Sequence, residues 1–211
     1  MAGREPLPKG VKVLDRLSRG AGIHTDPTLI DQVDELEALA RLCDIALRLD
    51  RLQYESLHDP LTGLYNRRGF DAQVQQAASG AERYGWSFAL MLLDLDGFKA
   101  INDRFGHHRG DAVLRSVGAR LRRDLRAGDI AARIGGDEFA VLLYLGETGD
   151  AHPVLERLKA EPLAFDIDAT VTWAAGVALC PEEATDLEGL LRLADTRLYE
   201  SKGVPARERQ L

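Results

Sequence analysis

Long uninterrupted apolar runs are missing from this 211-residue chain. No stretch approaches the roughly 18 residues that a membrane-spanning helix needs, and no signal-peptide pattern stands at the start. The expectation is a protein that has no membrane partner and works in the cytoplasm. Cysteine is equally scarce, with Cys43 and Cys180 the only two. Both lie in apolar patterns, so no disulfide framework is needed and they read as buried thiols of a cytosolic protein. Excess positive charge is absent as well. The net charge of −7 argues against a duplex nucleic acid partner, which favours a basic face. Nucleotides are not excluded, because they need only local positive groups. A chain of this length can bury enough apolar surface for one catalytic domain plus an extension.

The most informative stretch present is Arg133-Ile134-Gly135-Gly136-Asp137-Glu138-Phe139. Two glycines and two acids stand between the apolar runs Ile130 to Ile134 and Phe139 to Tyr144. A tight turn should therefore join two antiparallel strands and hold Asp137 and Glu138 at a sheet edge. Acids this close repel one another unless a cation lies nearby, and oxygen-only ligands suit a hard ion such as Mg²⁺. A solvated acidic hairpin is the competing reading. Upstream, Ser87 to Leu93 runs straight into Asp94-Leu95-Asp96-Gly97-Phe98-Lys99. That pattern is a central strand delivering carboxylates to its carboxyl end, with Asp94 and Asp96 on one face. For either aspartate alone the alternative is a helix cap. Two acidic strand ends, with Lys99 close by, point to a metal-bound polyphosphate site.

Residues 1–26 carry several Gly, Pro and basic residues with one short apolar patch, and read as a flexible arm. A helix should begin at Asp26-Pro27, with Asp26 as N-cap, and run to about residue 57. Along it Leu29, Val33, Leu36, Ala40, Cys43, Leu47, Asp50, Tyr54 and Leu57 recur at alternating spacings of four and three, the seam of a coiled coil. Leu39, Leu42, Ala46 and Leu49 widen the stripe, so packing on its own domain is the alternative. Beyond it the spacing predicts helices over 67–84, 108–125, 154–160 and 187–202, with a strand over 170–179. The fold class is α+β, an antiparallel sheet covered by helices.

Four blocks stand in order: Asp59-Pro60-Leu61-Thr62-Gly63-Leu64-Tyr65-Asn66-Arg67-Arg68, Asp94 through Asp103, Gly106-His107 through Gly110-Asp111, and Gly135 to Phe139. A fifth, Ala194-Asp195 through Leu198-Tyr199 to Lys202, closes the series. In these blocks the chain resembles the GGDEF-domain diguanylate cyclases over about residues 57 to 203. The resemblance implies a ferredoxin-like core of the nucleotidyl-cyclase and polymerase-palm type. It divides the chain into the arm, a linker helix at 27–57, a catalytic domain at 58–204 and a tail at 205–211.

It also implies an activity, joining two GTP molecules into cyclic di-GMP across a homodimer with release of two pyrophosphates. Asp94 and Asp137, with the carbonyl of Leu95, match the ligands of two Mg²⁺ ions per site, Mn²⁺ being a possible substitute, and Glu138 is a further acid near them. Asn102 and Asp111 match the pair that reads guanine, an aspartate accepting from N1 and N2 donors that adenine lacks. Phe98, Lys99 and Lys202 match positions along the phosphates. Arg126 and Asp129 match a product-inhibition motif, with Arg157 a candidate supporting arginine. Without the resemblance Asn102 could be a turn residue, Asp111 a helix cap, the lysines surface charges and Arg126 with Asp129 a surface ion pair. Two departures stand out. The segment between Leu145 and Thr170 looks shortened, and Ala206 stands where an arginine commonly assists the phosphates. The alternative function is a catalytically weak domain that receives cyclic di-GMP through Arg126 and Asp129.

Overall fold

The computed structural model describes the backbone of residues 27–145, 150–160, 163–165 and 167–203, and side chains at 36–145, 150–158 and 171–203. The arm, the Asp26 cap, the tail and Ala206 lie outside the described residues. Contacts divide the chain into two units, residues 1–54 and 55–211, and each is taken by itself.

The first unit contributes most of α1, Pro27–Leu57. Proline suits its first position, where the missing N–H would have had no partner. Exposed ion pairs Glu37–Arg41 and Asp44–Arg48, each four residues apart, support it. Its apolar stripe is bare: Leu36 is 65% and Leu47 71% exposed. Cys43, expected buried, is exposed, because its burial would require a partner helix on that stripe.

The second unit is a four-stranded sheet in the order β2-β3-β1-β6, antiparallel throughout. Its elements run α2 (Arg67–Tyr84), β1 (Ser87–Leu95), α3 (Phe98–Phe105), α4 (His107–Asp124), β2 (Ile130–Arg133) and β3 (Glu138–Leu145). They continue with α5 (His152–Ala160), β4 (Leu163–Phe165), β5 (Ile167–Val171), β6 (Trp173–Cys180) and α6 (Leu187–Ser201). The expected antiparallel sheet with covering helices and a long N-terminal helix is present. β1 explains itself by its apolar run, for a central strand must satisfy two faces. Ala89, Met91, Leu93 and Leu95 join Val113, Leu114, Val117 and Leu121 of α4 in one core. Phe88, Leu90 and Leu92 join Phe70, Val74 and Ala77 of α2 and Leu190, Ala194 and Leu198 of α6 in the other. Burial of each such leucine contributes about 2 kcal/mol.

Two local expectations change. The strand foreseen over 170–179 is broken at Thr172, which separates β5 from β6. β5 pairs only with β4 in a hairpin of its own. The helix α3 was not foreseen, its eight residues being too short for a periodic signal. Among the described residues no helix is long and apolar enough to cross a membrane.

Candidate active site

The ends of β1 and β3 build the site. Antiparallel register sets Asp94 opposite Glu138, and the Leu95 N–H donates to the Asp137 carbonyl across 3.2 Å. The strand carrying one carboxylate is thus joined through its backbone to the turn carrying the next. That turn closes where the Ile134 and Gly135 N–H groups donate to the Glu138 carbonyl at 2.9 and 3.3 Å. A Cβ at Gly135 would overlap the Glu138 carboxylate and come within 3.1 Å of its Cβ, so a side chain there would push the Glu138 side chain aside. Arg133 supports the turn from below, its Nε and Nη2 donating to the Gly136 carbonyl at 3.1 and 2.8 Å. Its Nη1 reaches Asp59 Oδ2 at 3.2 Å.

Lys202, at the end of α6, places Nζ 2.5 Å from Asp94 Oδ1. The family resemblance implies a place along the phosphates; here it sits on a carboxylate of the candidate metal site. Asp96 does not join Asp94 in that role. Its carboxylate accepts from the Thr172 hydroxyl at 2.7 Å and its N–H donates to the Thr172 carbonyl at 2.9 Å, clamping the break between β5 and β6.

Among the described residues no three Asp, Glu, His or Cys side chains gather into a metal cage. The donor chemistry still fits a hard ion. Mg²⁺ takes one or two protein carboxylates and fills its shell with water and substrate phosphate. Asp94 and Asp137 supply such a sparse oxygen set, and the ammonium on Asp94 marks a place that attracts positive charge.

Only two residues separate Leu95 from α3, so the next candidates follow directly. Phe98 is buried, Lys99 is exposed on the first turn and Asn102 is half-buried. Across the turn, α4 offers Gly110 and Asp111. A Cβ at Gly110 would overlap the Asn102 carboxamide oxygen and come within 3.2 Å of the Phe98 ring. Bare backbone therefore lets Asn102 lie against α4 immediately before Asp111. Asn102 is helical rather than a turn residue, and Asp111 lies inside α4 rather than at its cap.

Arg126 and Asp129 form a closed turn between α4 and β2. The Arg126 N–H donates to Asp129 Oδ2 and the Asp129 N–H to the Arg126 carbonyl, each at 3.0 Å. With His58, Tyr65 and Arg122 they line a cleft of about 260 Å³. Arg157 donates to the Asp124 carbonyl at the end of α4. Asp124 in turn pairs with Arg120 and Arg123. Burial works to raise the Asp124 carboxyl, but the hydrogen bonds from Arg123 and Arg120 outweigh it and hold the group below the usual carboxylate range.

The block at 59–68 has a role that its residues alone did not reveal. Asp59 Oδ1 accepts from the Thr62 N–H and hydroxyl at 2.8 and 2.7 Å. Asn66 caps α2 through the Gly69 N–H and donates to the Ser56 carbonyl. Tyr65 binds β2 by a donated bond to the Ala131 carbonyl and an accepted one from the Arg133 N–H. The only advance signal was turn chemistry, Asp with Thr and Gly close behind.

Residues 56–207 match the family model described as "Diguanylate cyclase, GGDEF domain". The bifunctional diguanylate cyclase/cyclic di-GMP phosphodiesterase MucR of Pseudomonas aeruginosa is 38% identical over 182 residues, 82% of this chain and 27% of that protein. Diguanylate cyclase TpbB of the same species is 39% identical over 177 residues, 81% of this chain and 40% of its own length. The chain thus spans less than half of either relative. Among solved structures, the coiled coil and GGDEF domain of DgcB from Caulobacter crescentus, in complex with c-di-GMP, superposes with a TM-score of 0.72 at 28% identity. That match covers 82% of this chain and 94% of the other.

Proposed function

The chain belongs to the diguanylate cyclase GGDEF-domain family, and we propose that it condenses two GTP molecules into cyclic di-GMP in the cytoplasm. The observation that carries this reading is the backbone register that sets Asp94 opposite Glu138 and joins Leu95 to Asp137 at one sheet end, with Phe98 and Asn102 following on α3 and lying against Gly110, the neighbour of Asp111. Asp94 and Asp137, with the Leu95 carbonyl, would hold Mg²⁺. When bound, the metal neutralises the triphosphate and lowers the pKa of the attacking 3′-hydroxyl. Asn102 and Asp111 read the guanine edge, while Phe98, Lys99 and Lys202 line the phosphates. The N-cap of α3, Gly97, makes no side-chain bond to the first-turn N–H groups, which would leave them for the same phosphates. In each half-reaction a 3′-hydroxyl gives up its proton to water as its oxygen bonds to an α-phosphorus, the bond to the β-phosphate breaks, and pyrophosphate leaves with that electron pair.

One domain offers one such constellation, so the attacking hydroxyl comes from GTP on a second copy. α1 supplies the pairing surface in this reading. The exposed Leu36 and Leu47 on its seam support it, as does the coiled coil of the DgcB structure. The division into arm, linker helix, catalytic domain and tail belongs to the same proposal. Arg126 and Asp129 form the inhibitory site for product. Purified protein incubated with GTP and Mg²⁺ should yield cyclic di-GMP by mass spectrometry, and Arg126→Ala should start at the wild-type rate yet accumulate more product. Absence of product at all protein concentrations, with cyclic di-GMP still bound, would instead favour a receptor.

A further inference from the structure

A chain of polar contacts runs from the foot of α1 to the turn that carries Asp137. At its start, the Leu57 carbonyl accepts from the Asn66 N–H at 2.8 Å, and the His58 ring stacks on Tyr65 at 4.4 Å between centroids. Asp59 follows directly, holding its own turn through Thr62 and pairing with Arg133. The pair is well shielded, each side chain 16% exposed. Arg133 then turns its two other nitrogens, Nε and Nη2, to one acceptor, the Gly136 carbonyl. That carbonyl belongs to the peptide bond whose nitrogen is the Asp137 N–H. Arg133 itself is fixed by its backbone bond to the Tyr65 carbonyl at 2.8 Å.

The planar guanidinium suits this task. Its fork can serve a carbonyl on one edge and a carboxylate on the other, which a lysine ammonium on a flexible stem cannot do in one fixed geometry. The two ends differ in function. Asp59 is two residues past the end of α1, while Gly136 is one residue before a candidate metal ligand. We propose that Asp59 and Arg133 are a positioning couple, which holds the Gly136–Asp137 peptide at the distance from Asp94 that turnover requires. Neither touches nucleotide. A shift at the foot of α1 reaches the candidate metal site through this couple, whereas Asn102 and Asp111 sit on α3 and α4, outside it. Disturbing the couple therefore slows the chemistry and leaves GTP capture intact.

The kinetic side rests on the cyclase reading above; the structural side does not. Arg133→Ala and Asp59→Asn should each lower kcat by about 10- to 100-fold, the scale of a roughly 1 Å misplacement, with KM for GTP within about threefold. Arg133→Lys should fall between wild type and Arg133→Ala. The double variant should be no worse than Arg133→Ala alone, the sign of two residues in one path. Independently of activity, amides at 134–138 should exchange hydrogen faster in Arg133→Ala while those of α4 keep their protection. A kcat within about twofold of wild type, or a joint fall of kcat, GTP binding and melting temperature, would overturn the couple. If wild type made no product, the cyclase reading would fail, and unchanged exchange at 134–138 would overturn the couple separately.

Discussion

Leu90 and Leu47 are the same residue in two regions with opposite fates. In the sheet domain Leu90 of β1 is fully buried against α2 and α6, whereas Leu47 on α1 is 71% exposed. The domain satisfies its apolar surface internally, on both faces of one sheet. The helix carries a comparable stripe and leaves it open. On the proposed function each region solves a different problem: the domain supplies a site for one nucleotide, and the helix supplies the surface on which a second copy pairs. On the proposed chemistry both are needed, because one GTP cannot cyclise alone.

The sharpest way to separate the regions is to remove a carboxylate. Asp137→Ala or Asp94→Asn should lower turnover by about 10³-fold or more, on the order of 4 kcal/mol of transition-state stabilisation. Melting temperature and molecular mass should stay near wild type. Near-normal product formation would dismiss the metal site. Next comes one substitution made twice. Leu90→Ala should cost about 2–5 kcal/mol of domain stability in denaturant unfolding. Leu47→Ala should cost the domain less than about 0.5 kcal/mol, in keeping with a surface position. Equal costs would contradict the contrast drawn here. Third, Leu36→Glu with Leu47→Glu should leave the domain folded but cut specific activity about tenfold or more in dilute solution, by lost effective concentration. Light scattering should show monomer.

The smallest effect concerns acid. Arg197 grips Glu183 by two bonds of 2.7 and 2.6 Å and also donates to the Val177 carbonyl. Those bonds hold the Glu183 carboxyl at about 2 against an ordinary 4.5. A lowered carboxylate stabilises the fold above its unfolded value and loses that contribution as pH falls from about 4.5 towards 2. Because the arginine is partly exposed, the pair should contribute only about 1 kcal/mol at neutral pH. Arg197→Met should remove this at pH 7, and its deficit against wild type should shrink across that acid window. A deficit that did not change with pH would assign the loss to packing instead.

The parts legible in the sequence were those written in local pattern. The run from Ser87 to Leu93 had to be a strand buried on both faces, and its abrupt end in Asp94 marked the site. The glycines and acids at 135–138 marked the hairpin, and the recurrence of Leu36, Leu47 and Tyr54 marked the helix. What stayed hidden depends on residues distant in sequence. Nothing around Lys202 tells that its ammonium meets Asp94, and nothing around Asp59 tells that it meets Arg133. Both arise because the sheet order brings strand ends and helix ends together. The break at Thr172 was masked by Val171 before it and Trp173 after it, both good strand formers, and a hydroxyl held by Asp96 is invisible to periodicity. Gly110 read as part of a block, yet its physical reason is the Asn102 side chain that lies across it.

The most direct test follows cyclic di-GMP formation by wild-type protein over a wide dilution series, with molecular mass measured at each step. If two half-sites must meet, specific activity falls as the mass drops from dimer to monomer, and the two curves share a midpoint. Constant specific activity from a protein that is monomeric throughout would contradict the two-copy mechanism and the role given to α1.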